Sequence, residues 1–488
     1  MSQSFEKIKY TFTLVLESDL HIGDGTINLQ CANKETTSNH NPIVIDHQGQ
    51  PYIPASTLRG LFAETYRAIN GQDTSIFGEM RQAKEKSDIK TKHQVSPNVP
   101  PSSVAGKLAV FDAILNKNVA KSETEQNTST RYRTSIDPIT QTAQKHQLFT
   151  QAVVLSGTQF NVELILSNAT EQRQKAVNDI IKALQTNGLY IGAGKQSGFG
   201  KSKIHQVGYQ TLSKSAYLEF YLGNKQDLEW QHSYKPIYSD NSSLPNREEF
   251  VFNVTPLSPI LIHDPEQVRP AKENEKSDQK SSDLIYLKRQ GANLLIPGTT
   301  LKGAFRAQAR KILLTIAMRK LTNEKAQTFA DTLVSEIFGN QDQRSLLRFP
   351  DVEVTTEHDD VKSHQYFNAI DRFTGGVKHG ALFDAAIAIP KSFKVIVQGT
   401  LYKPEHKALW AWLVRDFLEG DIAIGYGKSK GYGALSALIH SPKNKKGFTW
   451  QSWYNHHKTE TQSQLDALIT LLDAESQNVA LSPINKES

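Results

Sequence analysis

Cysteine and methionine are scarce: Cys31 is the single thiol, and three methionines occur in 488 residues. One cysteine excludes an internal disulfide framework and any multi-cysteine zinc site, and it suits a reducing compartment. No apolar run approaches the length of a membrane span, and the opening MSQSFEKIKYTFTLVLES lacks the apolar stretch of a secretory signal. The expectation is a cytoplasmic protein with no membrane partner. A strong charge bias is missing as well. Lys and Arg number 56 against 50 Asp and Glu, and the resulting +6 permits a polyanionic partner without requiring one.

What is present is a sequence written twice. IGAGKQSGFGK, from Ile191, returns as IGYGKSKGYGA, from Ile424, with every offset of G-x-G-K-x-x-G-[FY]-G kept. Four more matches run in the same order: YIPASTLRGLF with LIPGTTLKGAF, IFGE with IFGN, KLAVFDA around Asp112 with LLRFPDV around Asp351, and SIDPIT with AIDRFT. Five collinear matches imply two copies of one domain, 1–215 and 248–441, joined by a polar linker at 216–247. Residues 442–488 read as a tail with one short amphipathic helix.

Each copy opens on an alternating strand, KYTFTLVLES or EFVFNVTPLSPI, then gives a short strand, a helix, a hairpin (QAVVLSGTQFNVELIL; ALFDAAIAIPKSFKVIVQG), a second helix and the glycine string. This β-α-β-β-α-β order predicts an α+β protein: two tandem ferredoxin-like (RRM-like) domains, each an antiparallel sheet backed by two helices with one free face. Polar stretches at 81–107, 116–130 and 265–283 interrupt the plan as long loops.

Ser56 and Thr299 read as N-caps of the first helices. The helix dipole disfavours cations in a first turn by about a few tenths of a kcal/mol, yet Arg59 and Lys302 stand there, followed by Gly60 and Gly303. That pairing, made twice, points to an anion near the helix start with close backbone approach, with Arg306 beside it. The alternative is a glycine for tight packing and a solvated cation. The glycine string is not a nucleotide-binding P-loop, because Ile422 and Leu189 stand where that loop needs its first glycine. It is either a structural turn or a backbone cradle whose Lys195, Lys201, Lys428 and Lys430 track nucleic-acid phosphates. Around the I-D-x-x-T segments, Arg131, Arg133, Arg372, Lys378 and His379 alternate with Tyr132, Phe149, Tyr366, Phe373 and Phe383, the pattern of a single-stranded RNA binder. Asp137 and Asp371 fit a turn better than catalysis.

LHIGDG after the first strand, IPASTLRG and IPGTTLKG, and the terminal glycine string together resemble the RAMP superfamily of CRISPR proteins. More narrowly, the set resembles the backbone subunits of type III effector complexes, fused in tandem as in type III-D systems. The resemblance implies a chain lying along CRISPR RNA among other effector subunits. It also implies a β-hairpin thumb that interrupts the guide–target duplex, and metal-dependent cleavage of single-stranded target RNA by an aspartate just ahead of the second strand. In copy two that position is Asp283, the expected ligand of Mg2+ or Mn2+; in copy one it is His40, which suits a hard cation poorly. Asp24 and Asp264, matched after the first strands, are reserve catalytic candidates. His21 matches the family's LHIG element and is a further catalytic candidate that would orient a phosphate; Leu261 occupies the matching place in copy two. An RNA-binding scaffold without catalysis, and a guide-processing endonuclease using His21 or His40 without a metal, are the rival readings.

Overall fold

The computed structural model describes residues 5–26, 28–32, 36–70, 76–79, 104–116, 127–137, 140, 143–232, 234–239, 247–263, 284–285, 287, 294–354, 363–441 and 444–480. It is a mixed α+β protein that divides into two compact units. One comprises 1–133, 149–195 and 199–246, the other 134–148, 196–198 and 247–488.

In the first unit the opening strand Phe5–Leu16 lies at the centre of an antiparallel sheet, between Gln159–Ala169 and Lys201–Leu212. Leu108–Val110 adds to the outer side of Gln159–Ala169, and Leu189–Tyr190 to that of Lys201–Leu212. Period-two alternation turns Ile8, Tyr10, Phe12 and Leu14 to one face, where all are buried. Helices Ala55–Asn70 and Glu171–Asn187 supply the facing apolar stripes, Leu58, Phe62 and Tyr66 at four-residue spacing and Val177, Ile180, Ile181 and Leu184. Phe12 meets Phe62 edge to face, with ring centroids 6.5 Å apart.

The second unit repeats the order. Glu248–Pro256 is central between Phe393–Gly399 and Leu435–Ser441, with Leu347–Arg348 and Asn444–Phe448 on the two flanks. Helices Gly298–Ala317 and Pro404–Glu419 cover it through Leu301, Phe305, Leu409, Leu413 and Phe417. The rings of Phe305 and Phe417 are 5.0 Å apart. Each such side chain contributes about 1.5–3 kcal/mol by leaving water.

Four expectations change. The stretches read as one hairpin do turn, but their two strands pair away from each other. Ala143–Val154 lies in a four-stranded sheet with Thr128–Ile136, while Gln159–Ala169 belongs to the main sheet. Likewise Val377–Ile387 pairs with Ser363–Ile370, and Phe393–Gly399 with the opening strand. Alternation identifies a strand without naming its partner. The aspartates of the I-D-x-x-T segments make turn-type hydrogen bonds at the ends of these strands. Asp371 Oδ1 accepts from the N–H groups of Phe373 and Thr374, both at 2.9 Å, and Asp137 Oδ1 from that of Thr140 at 2.7 Å, so both aspartates are turn residues as expected.

An additional helix, Asn323–Phe338, packs on Gly298–Ala317, where Arg310 grips Asp331 through two nitrogens. The tail holds a helix far longer than expected, Lys458–Ala480, preceded by Trp450–His456. Leu468 enters the main core of its unit, and Leu472 packs with Ala317 and Ala326.

The expected linker starts within a helix, Lys214–Tyr221, and then straps the first unit. Gln231 bridges Thr211 through paired backbone hydrogen bonds. Asn178 Nδ2 donates to the Tyr234 hydroxyl and to Ile237 O, each at 2.9 Å, and Asp179 accepts from Ser239 N at 2.8 Å. Among the described residues no helix is long and apolar enough to cross a membrane.

Candidate nucleic-acid interface

The two glycine strings share their backbone hydrogen bonds, and Gly192, Gly200, Gly425 and Gly433 each lie against a main-chain carbonyl of the protein itself. Ala193 N–H donates to His21 O at 2.8 Å and Tyr426 N–H to Leu261 O at 2.7 Å, the matched positions after the opening strands. Ile191 N donates to Gly200 O at 2.9 Å and Ile424 N to Gly433 O at 3.0 Å, closing each loop on itself. A methyl group at Gly200 would lie 1.8 Å from Ile191 O, and at Gly433 2.0 Å from Ile424 O, both with φ of +74°. Only glycine fits there. Phe199 and Tyr432, the variable aromatic of the motif, fold back against Gly194 and Gly427.

Those two aromatics organise the ribbons in different ways. In the first unit Arg133 lies over the Phe199 ring at 4.6 Å and Arg131 at 5.8 Å. Arg131 also ion-pairs with Asp19, through Nε at 2.8 Å and through Nη2, while Asp19 Oδ1 accepts from Ser156 N at 3.1 Å. In the second unit Gln365 and Phe367 stand at the places of Arg131 and Arg133. Gln365 accepts from the Tyr432 hydroxyl, and Phe367 meets the Tyr432 ring edge to face at 5.9 Å.

The basic candidates therefore divide. Arg131 is engaged by Asp19, Lys201 by Glu17 at 3.0 Å, and Arg59 by Phe77 O. Lys195 and Lys302 are half-buried, whereas Arg306, Arg372, Lys378, His379, Lys428 and Lys430 are exposed. Lys428–Lys430 form a single 3-10 turn, and Lys430 Nζ sits 4.1 Å from the Phe367 ring centre and 5.7 Å from that of Tyr426. Along the second ribbon Tyr366, Ile370, Phe373 and Phe383 are exposed; along the first, Tyr132 and Phe149.

Both first helices begin one residue ahead of the expected caps, so Ser56 and Thr299 lie inside them. The cap comes from far along the chain: Ala55 N donates to Asp112 Oδ1 at 2.6 Å and Gly298 N to Asp351 Oδ1 at 2.8 Å. A carboxylate of the protein itself thus meets the helix end where an external anion was expected. Gly60 and Gly303 nevertheless face open space, with nothing within 4 Å of an added methyl group, so tight packing does not account for them.

His21 is 2 % exposed and its Nδ1 lies 2.7 Å from Ala152 O. A carbonyl only accepts, so Nδ1 carries the proton and Nε2 the lone pair. Nε2 faces Gly23, where a methyl group would meet it at 3.3 Å and Asn41 Oδ1 at 3.4 Å. Burial, with Arg133 nearby, lowers the imidazole below its ordinary value and outweighs the Ala152 bond and Asp24, which favour the charged form. Asp24 itself is a loop carboxylate whose Oδ1 accepts from Thr26 N and Oγ1, each at 2.7 Å, and these bonds lower its pKa. Asp283 and Asp264 lie outside the described residues, as does the side chain of His40. Among the described residues no three His, Cys, Asp or Glu side chains gather as a metal centre.

Asp19, Asp112, Asp351 and Tyr426 were not singled out by sequence reasoning for any role. The alignment of Asp112 with Asp351 was the available signal for the two caps. No curated protein matches the chain. The model of the RAMP superfamily, whose domains are associated with CRISPR effector complexes and RNA binding, matches residues 13–203 and again 253–436. This chain, with its two collinear copies, belongs to the RAMP superfamily.

Proposed function

We propose that this chain is a tandem backbone subunit of a type III CRISPR effector, of the III-D kind, holding CRISPR RNA along both repeats. The observation that carries the RNA-binding part is the second unit's glycine loop: a rigid turn presenting Lys428, Lys430 and Tyr426 next to an aromatic-rich ribbon. The strand order closing, opening, third, second in both sheets supports reading each unit as ferredoxin-like. Its partners are CRISPR RNA, single-stranded target RNA and neighbouring effector subunits.

Cleavage of the target is assigned to the second repeat, at Asp283, with Asp264 of the same repeat and Asp24 of the first in reserve. The support is the resemblance, which puts an aspartate ahead of the strand Leu284–Ile285 where the first repeat has His40. Mg2+ or Mn2+ would orient or activate the attacking 2′-hydroxyl; the described residues do not by themselves form its site. The test is a reconstituted complex with guide RNA and labelled complementary target in Mg2+, comparing wild type with Asp283→Ala. Loss of one product band with binding intact supports a nuclease subunit cutting at the second repeat. An unchanged ladder removes Asp283, moves the cut to Asp264, Asp24 or another subunit, and puts the RNA-binding scaffold ahead.

A second reading starts from the His21 tautomer, although the ring itself is buried. Neutral and with Nε2 as acceptor, His21 has the form of a general base for metal-independent RNA cleavage at the first repeat, as a guide-processing endonuclease would need. Cleavage of guide precursor in EDTA that disappears in His21→Gln is the outcome that would put this reading ahead.

A further inference from the structure

The two glycine loops share their backbone but not their tips. At the position after the first glycine the first unit carries Ala193 and the second carries Tyr426. Gly425 and Gly427 bracket that tyrosine at φ of +90° and +81°, and its N–H is tied to Leu261 O. The backbone beneath the ring is therefore fixed, and the ring is 51 % exposed. A tyrosine whose only role was to shield Lys430 would be redundant, because Phe367 already lies closer to that ammonium.

An aromatic face held on a rigid turn, with Lys428 and Lys430 two and four residues on, matches one ligand chemistry: an unpaired nucleobase stacked on the ring, with flanking phosphates on the lysines. A preset ring loses little conformational freedom when a base settles on it, which favours stacking over a flexible contact. We infer that Tyr426 is the stacking platform for one unpaired base of a single-stranded RNA, and that the second repeat holds a base at this point whereas the first, with Ala193, holds backbone alone. This rests on the RNA-binding reading and adds to it a base-dependent site in one repeat only.

The test uses the full chain, a fluorescein-labelled oligouridine, and the same oligomer built from abasic ribose phosphates. Binding is followed by anisotropy for wild type, Tyr426→Phe and Tyr426→Ala, with thermal melting to confirm folding. Stacking predicts that Tyr426→Ala weakens oligouridine binding roughly tenfold, that Tyr426→Phe binds like wild type, and that neither change alters binding of the abasic oligomer. Equal oligouridine binding by wild type and Tyr426→Ala would overturn the inference while leaving RNA binding intact. An equal loss on the abasic oligomer would also overturn it, making the ring a shaper of the loop. Failure of the wild type to bind either oligomer at low salt would remove the RNA-binding reading itself.

Discussion

Arg131 and Asp19 form an ion pair across 112 residues of sequence, with side chains 11 % and 2 % exposed. The pair ties the base of the first ribbon to the turn after the opening strand, where Gly200 N also bonds Asp19 O at 2.8 Å. Removing one partner leaves the other charge buried without its counter-ion, and breaking a buried pair in this way costs about 3–5 kcal/mol. Asp19→Ala and Arg131→Ala should therefore each lower the melting temperature sharply. The double change Asp19→Asn with Arg131→Gln, which removes both charges and places at 131 the glutamine that stands at 365, should cost less than either. Thermal melting of the three variants checks this.

Asp112 and Asp351 should behave as helix caps. Asp112→Ala is expected to destabilise by about 1 kcal/mol, within the usual 0.5–2, and Asp112→Asn by less, because an amide oxygen still accepts from Ala55 N. Urea unfolding of the two variants checks this order.

The glycines should split into two classes. Gly200→Ala and Gly433→Ala add a methyl group against a carbonyl oxygen in a left-handed backbone, whose conformational strain alone costs about 1–3 kcal/mol. Gly60→Ala and Gly303→Ala meet open space and should stabilise their helices by about 0.5–1 kcal/mol. If RNA backbone approaches these helix starts, the same two changes weaken RNA binding while raising the melting temperature. Both readouts can be taken on the same samples.

His21 should give the fold a pH dependence. Its folded pKa lies below the ordinary 6.5, so the unfolded chain binds the proton more readily. Stability is then complete above about 6.5 and declines as the pH falls from there towards the lower folded value. His21→Gln should flatten that part of the profile. Melting temperatures measured in steps from neutral to mildly acidic pH decide it.

Much of this architecture was legible because the chain states it twice. The collinear matches revealed the duplication, and alternation in KYTFTLVLES and EFVFNVTPLSPI located the central strands. Partners were not legible. Ala143–Val154 and Gln159–Ala169 looked like two arms of one hairpin, since period-two patterning is silent about which neighbour supplies the hydrogen bonds. The cap of Ala55 comes from Asp112, which no local capping rule can find. The glycines of the string were visible at once, yet what they hold is chiefly the chain's own carbonyls at His21, Leu261, Ile191 and Ile424. Lys201 and Arg131 read as RNA-binding cations because Glu17 and Asp19 lie far away in sequence, and only folding brings the pairs together.

The strap from Gln231 to Ser239 decides where the first repeat can be severed. A fragment ending at 215 would lose the groups that satisfy Asn178 and Asp179, which are 0 % and 1 % exposed. Each stranded polar group would cost about 1–3 kcal/mol, enough to make such a fragment prone to unfold and aggregate. A first-repeat fragment that keeps these groups satisfied therefore extends at least to Ser239.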